Sequence, residues 1–152
     1  MSKRKKKDAL RAQMAVDFLE TLDLPAYKVG SPDLTNFPIL DRLVATGKPL
    51  ILSTGMATLE EIEHTVCRLA ALSVRSCALL HCVSCYPAPI EAINLRAMRR
   101  ISDNCGLSDH TTSLTIPALA VALGATVIEK HLTLDRNAPG PDHKASLEPD
   151  QF

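Results

Sequence analysis

The chain has 152 residues, in which 17 lysines and arginines balance 17 aspartates and glutamates. This balance argues against a nucleic acid or an acidic surface as a partner chosen by overall charge. The length and the hydrophobic content of 46% favour one core over two ordinary domains. No apolar run approaches the roughly 20 residues of a membrane helix, and no signal-peptide region follows the basic start. We therefore expect a cytoplasmic protein with no membrane partner.

The cysteines and the N-terminus carry little functional signal. Five cysteines, an odd number, fit reduced thiols better than a disulfide framework. Cys82 and Cys85 form a CxxC, but no second cysteine pair accompanies it, which argues against zinc or redox use. Residues 3–7 (KRKKK) are a basic run that could touch phosphates, although such a run is more often a solvated terminus. We expect residues 1–13 to be a disordered basic tail.

A strand-then-helix pattern recurs along the rest of the chain. The spacing of Met14, Phe18 and Leu22 predicts a helix that ends before Pro25. Five short apolar, β-prone runs follow, each ending in small or charged polar residues: residues 26–31, 49–55, 77–84, 105–110 and 125–133. An amphipathic segment near residues 59–69, and an apolar stretch over residues 116–123 that Pro117 opens and Gly124 stops, predict intervening helices. This alternation predicts a parallel sheet that is either covered by helices on both faces or closed into a barrel.

Polar side chains stand at the carboxyl ends of all five predicted strands. Ligands gather at this edge of a parallel α/β sheet, so we expect the polar residues to share one rim. They are Lys28, Ser31, Ser53, Thr54, His81, Ser84, Ser108, Asp109, His110, Glu129 and His131. Charged groups close to a core cost free energy unless they are paired or functional, so chance is a poor explanation for the pattern.

Two kinds of site are candidates at this rim. The two-residue period of a strand puts Glu129 and His131 on one side, and His110 on the neighbouring strand end could supply a second imidazole for a divalent metal. The alternative is that each histidine only hydrogen-bonds a loop carbonyl. Lys28, Ser53 and Ser108 are donor types that hold a phosphate, with ordinary loop capping as the alternative.

Six motifs, in order and suitably spaced, carry a family resemblance. They are Lys28-Val29-Gly30-Ser31, Ser53-Thr54-Gly55-Met56, His81-Cys82-Val83-Ser84-Cys85-Tyr86-Pro87, Ser108-Asp109-His110-Thr111, Glu129-Lys130-His131 and Gly140-Pro141-Asp142-His143-Lys144-Ala145-Ser146-Leu147-Glu148-Pro149. From about Met14 to the last residue the chain resembles the N-acetylneuraminate (sialic acid) synthase family. The resemblance implies an α/β fold, an incomplete (β/α)8 TIM-type barrel with about five parallel strands and flanking helices.

The resemblance also implies a reaction and a set of roles. The family condenses phosphoenolpyruvate with an open-chain N-acetyl amino sugar, such as an N-acetylmannosamine-like sugar, and releases phosphate. The implied phosphoenolpyruvate contacts are Lys28, Ser53, Ser84 and Ser108, and the implied sugar contacts are Tyr86 and Asp142. His110 and His131 would ligate a divalent ion, usually Mn²⁺, with Mg²⁺ or Co²⁺ as alternatives. Glu129 would organise the metal and its water, and Asp33 would be an acid-base participant.

The resemblance implies departures as well. Residues 14–152 correspond to barrel strands four to eight, so strands one to three and the C-terminal antifreeze-like domain of the family are expected to be absent. An enzyme of this kind would need a complementing N-terminal half, or self-association such as a homodimer, to close the barrel. The alternative is a truncated, non-catalytic remnant that binds only metal or anions, or that associates with a partner subunit. A third reading is that the basic tail recruits an anionic partner.

Overall fold

The computed structural model describes the chain from Lys3 to Phe152, and its side chains from Leu10 onward. The helices are α1 (Lys3–Glu20), α2 (Phe37–Ala45), α3 (Leu59–Ala71), α4 (Met98–Ile101) and α5 (Thr115–Ala122). The strands are β1 (Tyr27–Val29), β2 (Leu50–Ser53), β3 (Cys77–Cys82), β4 (Gly106–Asp109) and β5 (Ile128–Lys130). Each strand lies inside one of the five runs predicted from the sequence, which confirms the strand-helix alternation. Among the described residues no helix is both long and apolar enough to cross a membrane.

The described chain divides into two compact units. The first comprises the chain up to Leu52 together with Ala57–Cys77, and the second comprises Ser53–Met56 together with Ala78–Phe152. In the first unit β1 and β2 are parallel, with Lys28 opposite Ile51. Helix α1 packs on α2, and the buried side chains include Val16 and Leu40.

The start of α3 follows the sequence signal. The Thr58 hydroxyl accepts a hydrogen bond from the Glu61 backbone N–H, and the Glu61 carboxylate accepts one from the Thr58 backbone N–H. This reciprocal capping box satisfies two N–H groups that have no partner within the helix. The predicted helix start is therefore confirmed.

Helix α1 starts earlier than the spacing of Met14, Phe18 and Leu22 indicates. The helix begins at Lys3 and so takes in most of the segment expected to be a disordered tail. Lysine, arginine, alanine, leucine and glutamine all have high helix propensity, which allows the helix to extend through this segment. Met1 and Ser2 lie outside the described residues. The helix ends at Glu20, before Pro25, as predicted.

The second unit contains three parallel strands in the order β3-β4-β5. Its core includes Leu107, Met98, Ile116 and Ala120. Gly106 allows β4 to fit between its neighbours, because a Cβ there would lie 2.5 Å from Leu80 Cδ2 and 2.5 Å from the Val127 carbonyl oxygen. After β5 the chain is held by a bridge between Leu132 and Leu147. This arrangement sets the carboxyl ends of three strands side by side.

Candidate active site

The register of β4 and β5 brings most of the predicted site residues together. Ser108 lies opposite Glu129, and Asp109 lies opposite Lys130. One residue past the end of each strand, the rings of His110 and His131 lie with their centroids 5.2 Å apart and their planes at 88°. The two imidazoles predicted to share an ion are therefore neighbours.

The hydrogen bonds of His110 set its tautomer. Its Nδ1 lies 2.8 Å from the Val83 carbonyl oxygen, and since a carbonyl oxygen only accepts, Nδ1 carries the proton. In the neutral ring Nε2 then has the free lone pair that a metal needs. Burial lowers the pKa of His110, but the Cys82 thiol, the Val83 carbonyl and the charge of Glu129 more than offset this and raise it above its ordinary value.

Glu129 is the centre of a hydroxyl network. Its Oε2 accepts a hydrogen bond of 2.5 Å from Ser108 Oγ and one of 3.4 Å from Ser53 Oγ. Ser108 Oγ also lies 3.5 Å from His110 Nε2. An ionised carboxylate accepts and does not donate, so Glu129 orients both hydroxyl protons toward itself. The carboxylate thus positions the two serines that the family resemblance implies for phosphate.

The ring of Tyr86 packs against both histidines. Its ring centroid lies 4.1 Å from that of His110 and 5.5 Å from that of His131. The peptide bond between Tyr86 and Pro87 is cis. The pKa of the Tyr86 phenol is raised, first by burial and then by the charges of Cys82, Asp142 and Glu129. Tyr86 is nevertheless about half exposed.

The loop after β2 packs closely on the end of β3. A Cβ at Gly55 would lie 2.7 Å from Ser84 Oγ and 2.8 Å from Cys82 Sγ, so this position requires glycine. Cys82 is buried, with Sγ 3.9 Å from His110 Nδ1 and 4.0 Å from Ser84 Oγ. The thiol therefore lies beside the metal-candidate histidine, a contact that the sequence alone did not indicate.

A buried ion pair occupies the opposite side of the same strand ends. Lys130 Nζ lies 2.6 Å from Asp109 Oδ2, and the two side chains are 3% and 0% exposed. Asp109 also accepts hydrogen bonds from the backbone N–H and hydroxyl of Thr111, and Lys130 donates to the Thr111 carbonyl. The sequence placed Asp109 at the rim, but this geometry makes it a structural residue paired away from the histidines.

The remaining candidates lie elsewhere. Lys28 and Asp33 belong to the first unit, where Lys28 Nζ donates to the Val29 carbonyl and Asp33 accepts from the Asn36 amide. Asp142 is exposed on the last loop of the second unit, close enough for its charge to act on the Tyr86 phenol. His81 is buried, and its Nε2 lies 2.6 Å from the Ile93 carbonyl oxygen. It therefore matches the alternative to metal binding, in which a histidine only hydrogen-bonds a loop carbonyl.

The donor set at the rim fits a partial metal site. Within the described part of the chain, no group of three or more His, Cys, Asp or Glu side chains is placed to hold a metal. Two adjacent imidazoles, one with its tautomer fixed by a carbonyl, can supply two nitrogen ligands and leave the other coordination positions to water or substrate oxygens.

The part of the chain that carries these residues is similar to known proteins. The NeuB family profile matches residues 11–152. The chain is 48% identical over 145 residues to N,N'-diacetyllegionaminic acid synthase of Campylobacter jejuni, covering 91% of this chain and 43% of that protein. It is 40% identical over 145 residues to human N-acetylneuraminate-9-phosphate synthase, covering 92% of this chain and 40% of that one. The chain thus spans about two-fifths of the length of these relatives.

A solved structure matches the fold. The crystal structure of N-acetylneuraminic acid (sialic acid) synthetase from Leptospira borgpetersenii superposes with a TM-score of 0.84 at 36% identity, covering 90% of this chain and 49% of that one. The similarity resolves the choice between an open sheet and a barrel that periodicity leaves open. The fold is an incomplete (β/α)8 barrel of about five parallel strands with flanking helices.

Proposed function

We propose, since this chain belongs to the NeuB family of sialic and related nonulosonic acid synthases, that its strand ends bind the metal ion and the phosphate in a phosphoenolpyruvate-dependent synthase. Family membership confirms the resemblance drawn from the six motifs. Because the chain spans about two-fifths of the relatives' length, catalysis is proposed for a completed barrel.

The proposed reaction joins two small molecules. The methylene carbon of phosphoenolpyruvate forms a carbon–carbon bond with the aldehyde carbon of an open-chain, N-acetylmannosamine-like sugar. Water adds at the carbon that carries the phosphate ester, and inorganic phosphate leaves. A bound divalent ion, Mn²⁺ or alternatively Mg²⁺ or Co²⁺, would polarise the aldehyde as a Lewis acid.

The residues have distinct proposed roles. His110 and His131 hold the ion through imidazole nitrogens. Ser108 and Ser53 contact the phosphate together with Ser84 and Lys28. Since the Ser108 hydroxyl donates to Glu129 in this structure, it must turn toward the phosphate before it can donate to it.

Glu129 therefore positions the Ser108 hydroxyl, in addition to its proposed role of organising the metal and its water. Tyr86, half exposed beside both imidazoles, offers a ring face for the sugar. Asp142 is proposed to contact the sugar from the last loop, and Asp33 is proposed as an acid-base group.

One observation carries the proposal: the rings of His110 and His131 are adjacent, and the His110 Nδ1 proton is committed to the Val83 carbonyl. A histidine that only capped a loop would need neither a second imidazole beside it nor a tyrosine against its ring. The arrangement instead matches a ligand held in orientation by an outer hydrogen bond.

Metal binding tests the proposal on the chain itself. We expect Mn²⁺ titration followed by electron paramagnetic resonance to give about one bound ion per chain. His131→Ala should weaken binding at least tenfold, in keeping with the loss of one of two protein ligands. His64→Ala is the matched control, because His64 is an exposed helix residue that contacts Phe37 in the first unit. Equal loss in both variants, or no binding by the parent chain, would refute the metal site.

A turnover assay distinguishes an enzyme from a non-catalytic remnant. Phosphate release from phosphoenolpyruvate and N-acetylmannosamine should appear when the chain is mixed with an N-terminal barrel segment from a relative, and Ser108→Ala should reduce it. Metal binding without turnover in any such mixture would favour the remnant that only binds metal or anions.

A further inference from the structure

A polar cavity lies between two segments of the chain that follows β5 in the second unit. Its volume is about 450 Å³, and it is lined by Arg136, Asn137, Lys144 and Glu148. We call it the Arg136 cavity. Cavities that hold small molecules usually have volumes of roughly 300–1,000 Å³ and a mainly apolar lining. None of these four lining side chains is apolar, so the cavity is suited to an occupant that is polar over most of its surface.

Hydrogen bonds between the two segments hold the Arg136 cavity in shape. The Arg136 backbone N–H donates to Glu148 Oε1 over 3.0 Å, and the Arg136 guanidinium donates to the Lys144 carbonyl oxygen over 3.2 Å. Beside them, the Thr133 backbone N–H donates to the Leu147 carbonyl oxygen. The cavity is therefore already formed before a ligand binds, which lowers the free-energy cost of binding.

The cavity carries an excess of positive charge. Arg136 and Lys144 contribute two cations, and Glu148 contributes one carboxylate. Within the part of the chain that the structure describes, neither cation forms an ion pair with a carboxylate, and the Lys144 ammonium makes no hydrogen bond. A guanidinium fork and an ammonium are the side-chain groups that bind a carboxylate or a phosphate in proteins. The cavity therefore favours a ligand with an anionic group.

The other two side chains are suited to hydroxyl groups. The amide of Asn137 can donate and accept hydrogen bonds, whereas the carboxylate of Glu148 accepts them. Only Oε1 of that carboxylate accepts a hydrogen bond from the described residues, so Oε2 can accept one from a ligand. The carboxylate would repel a simple inorganic anion, but it would accept hydrogen bonds from the hydroxyl groups of a sugar.

We propose that the Arg136 cavity binds an acidic sugar. Its carboxylate or phosphate would lie against Arg136 and Lys144, and its hydroxyl groups would bond to Asn137 and Glu148. Sugar acids and sugar phosphates share this chemistry, which is one anionic group on a polyhydroxy chain. None of the four residues belongs to the set proposed for the metal, the phosphoenolpyruvate or the acceptor sugar. The inference is therefore independent of the proposed reaction.

Titration calorimetry on the chain, without metal, tests the proposal with defined probes. N-acetylneuraminate supplies a carboxylate and glucose 6-phosphate supplies a phosphate. The methyl ester of N-acetylneuraminate lacks the charge, and inorganic phosphate lacks the sugar. We expect at least one acidic sugar to bind with a dissociation constant below about 1 mM. The ester and inorganic phosphate should bind more weakly by roughly tenfold or more, because each lacks one of the two recognised parts.

Variants of the lining residues locate the binding. Arg136→Gln and Lys144→Gln should each weaken binding of the acidic sugar by about tenfold, because each removes a charge-assisted hydrogen bond. Lys144→Gln breaks no hydrogen bond of the described chain, so it tests the cavity without loosening its walls. Glu148→Gln should reduce the preference for the acidic sugar over inorganic phosphate, since it removes the charge that repels the simple anion. Arg100→Gln is the matched control, because Arg100 is an exposed arginine of α4 in the second unit, and it should leave binding unchanged.

A further variant distinguishes this cavity from the candidate active site. Asp142→Asn changes the proposed sugar contact of that site, and it should leave binding of the acidic sugar unchanged. The proposal is overturned if neither acidic sugar binds, if the ester or inorganic phosphate binds as tightly as the acidic sugar, or if Arg100→Gln weakens binding as much as Lys144→Gln. It is also overturned if Asp142→Asn abolishes binding while Lys144→Gln does not. Loss of Mn²⁺ binding or of turnover would contradict the proposed function and leave these titrations unaffected.

Discussion

Replacing Lys130 with methionine should destabilise the protein far more than removing an exposed ion pair. Lys130 and Asp109 are 3% and 0% exposed and their charged atoms lie 2.6 Å apart. Breaking a buried pair by removing one partner costs about 3–5 kcal/mol, because the other charge is left buried without compensation. The Thr111 hydrogen bonds to Asp109 remain but do not replace the ammonium.

The chain offers an internal comparison. Arg68 and Asp41 form a pair of the same 2.6 Å length, but their side chains are 39% and 43% exposed. Pairs of this kind contribute about 0.2–1 kcal/mol. Arg68→Met should therefore lower the free energy of unfolding by no more than about 1 kcal/mol.

Urea unfolding followed by far-ultraviolet circular dichroism measures both variants. A double variant, Asp109→Asn with Lys130→Met, should lose less than the sum of the single losses, with a coupling energy above about 1.5 kcal/mol, since no isolated buried charge remains. If Lys130→Met and Arg68→Met cost the same, or if the two single losses at Asp109 and Lys130 simply add, the reasoning from burial is refuted.

Two further predictions concern alkaline pH and glycine packing. The pKa of Tyr27 is raised from 10.0 to about 12, first by burial and then by its hydrogen bond to Glu20. The neutral phenol therefore contributes stability that is complete below pH 10 and lost as the pH rises toward 12, and Tyr27→Phe should reduce the parent's loss of melting temperature over that range. An identical decline in both proteins would contradict the assignment. Gly106→Ala should destabilise the protein by about 2–4 kcal/mol in urea unfolding, because the added Cβ would lie 2.5 Å from Leu80 Cδ2. Gly30→Ala, where the nearest atom would be 3.7 Å away, is its control, and equal losses would show that packing is not the cause.

The strands and the rim were predictable from the sequence for physical reasons. Buried parallel strands read as largely apolar runs, and in this sequence polar side chains stand in and just after the carboxyl-terminal part of each run. The two-residue period of a strand predicts that Glu129 and His131 lie on one side. The capping box fixed the start of α3, because its hydrogen bonds join residues three positions apart.

Contacts between distant residues were not predictable. The Val83 carbonyl that orients His110 is 27 residues away from it along the chain, and no local sequence pattern predicts this hydrogen bond. The hydrogen bond from Ser108 to Glu129 depends on the register between two strands. The extension of α1 to Lys3 was not predictable for another reason: clustered charge favours a solvated terminus, whereas the same residues have high helix propensity.

Strand alternation links the structural ion pair to the candidate site. Along β4 and β5 the paired residues alternate, with Ser108 beside Glu129 on one side and Asp109 beside Lys130 on the other. A shift of β5 by one residue against β4 would move Glu129 and Lys130 to the opposite sides of the sheet. It would bury a second carboxylate beside Asp109 and leave the ammonium at the rim. The buried pair therefore favours the register in which the two histidines that follow it come together, although its own atoms face away from them.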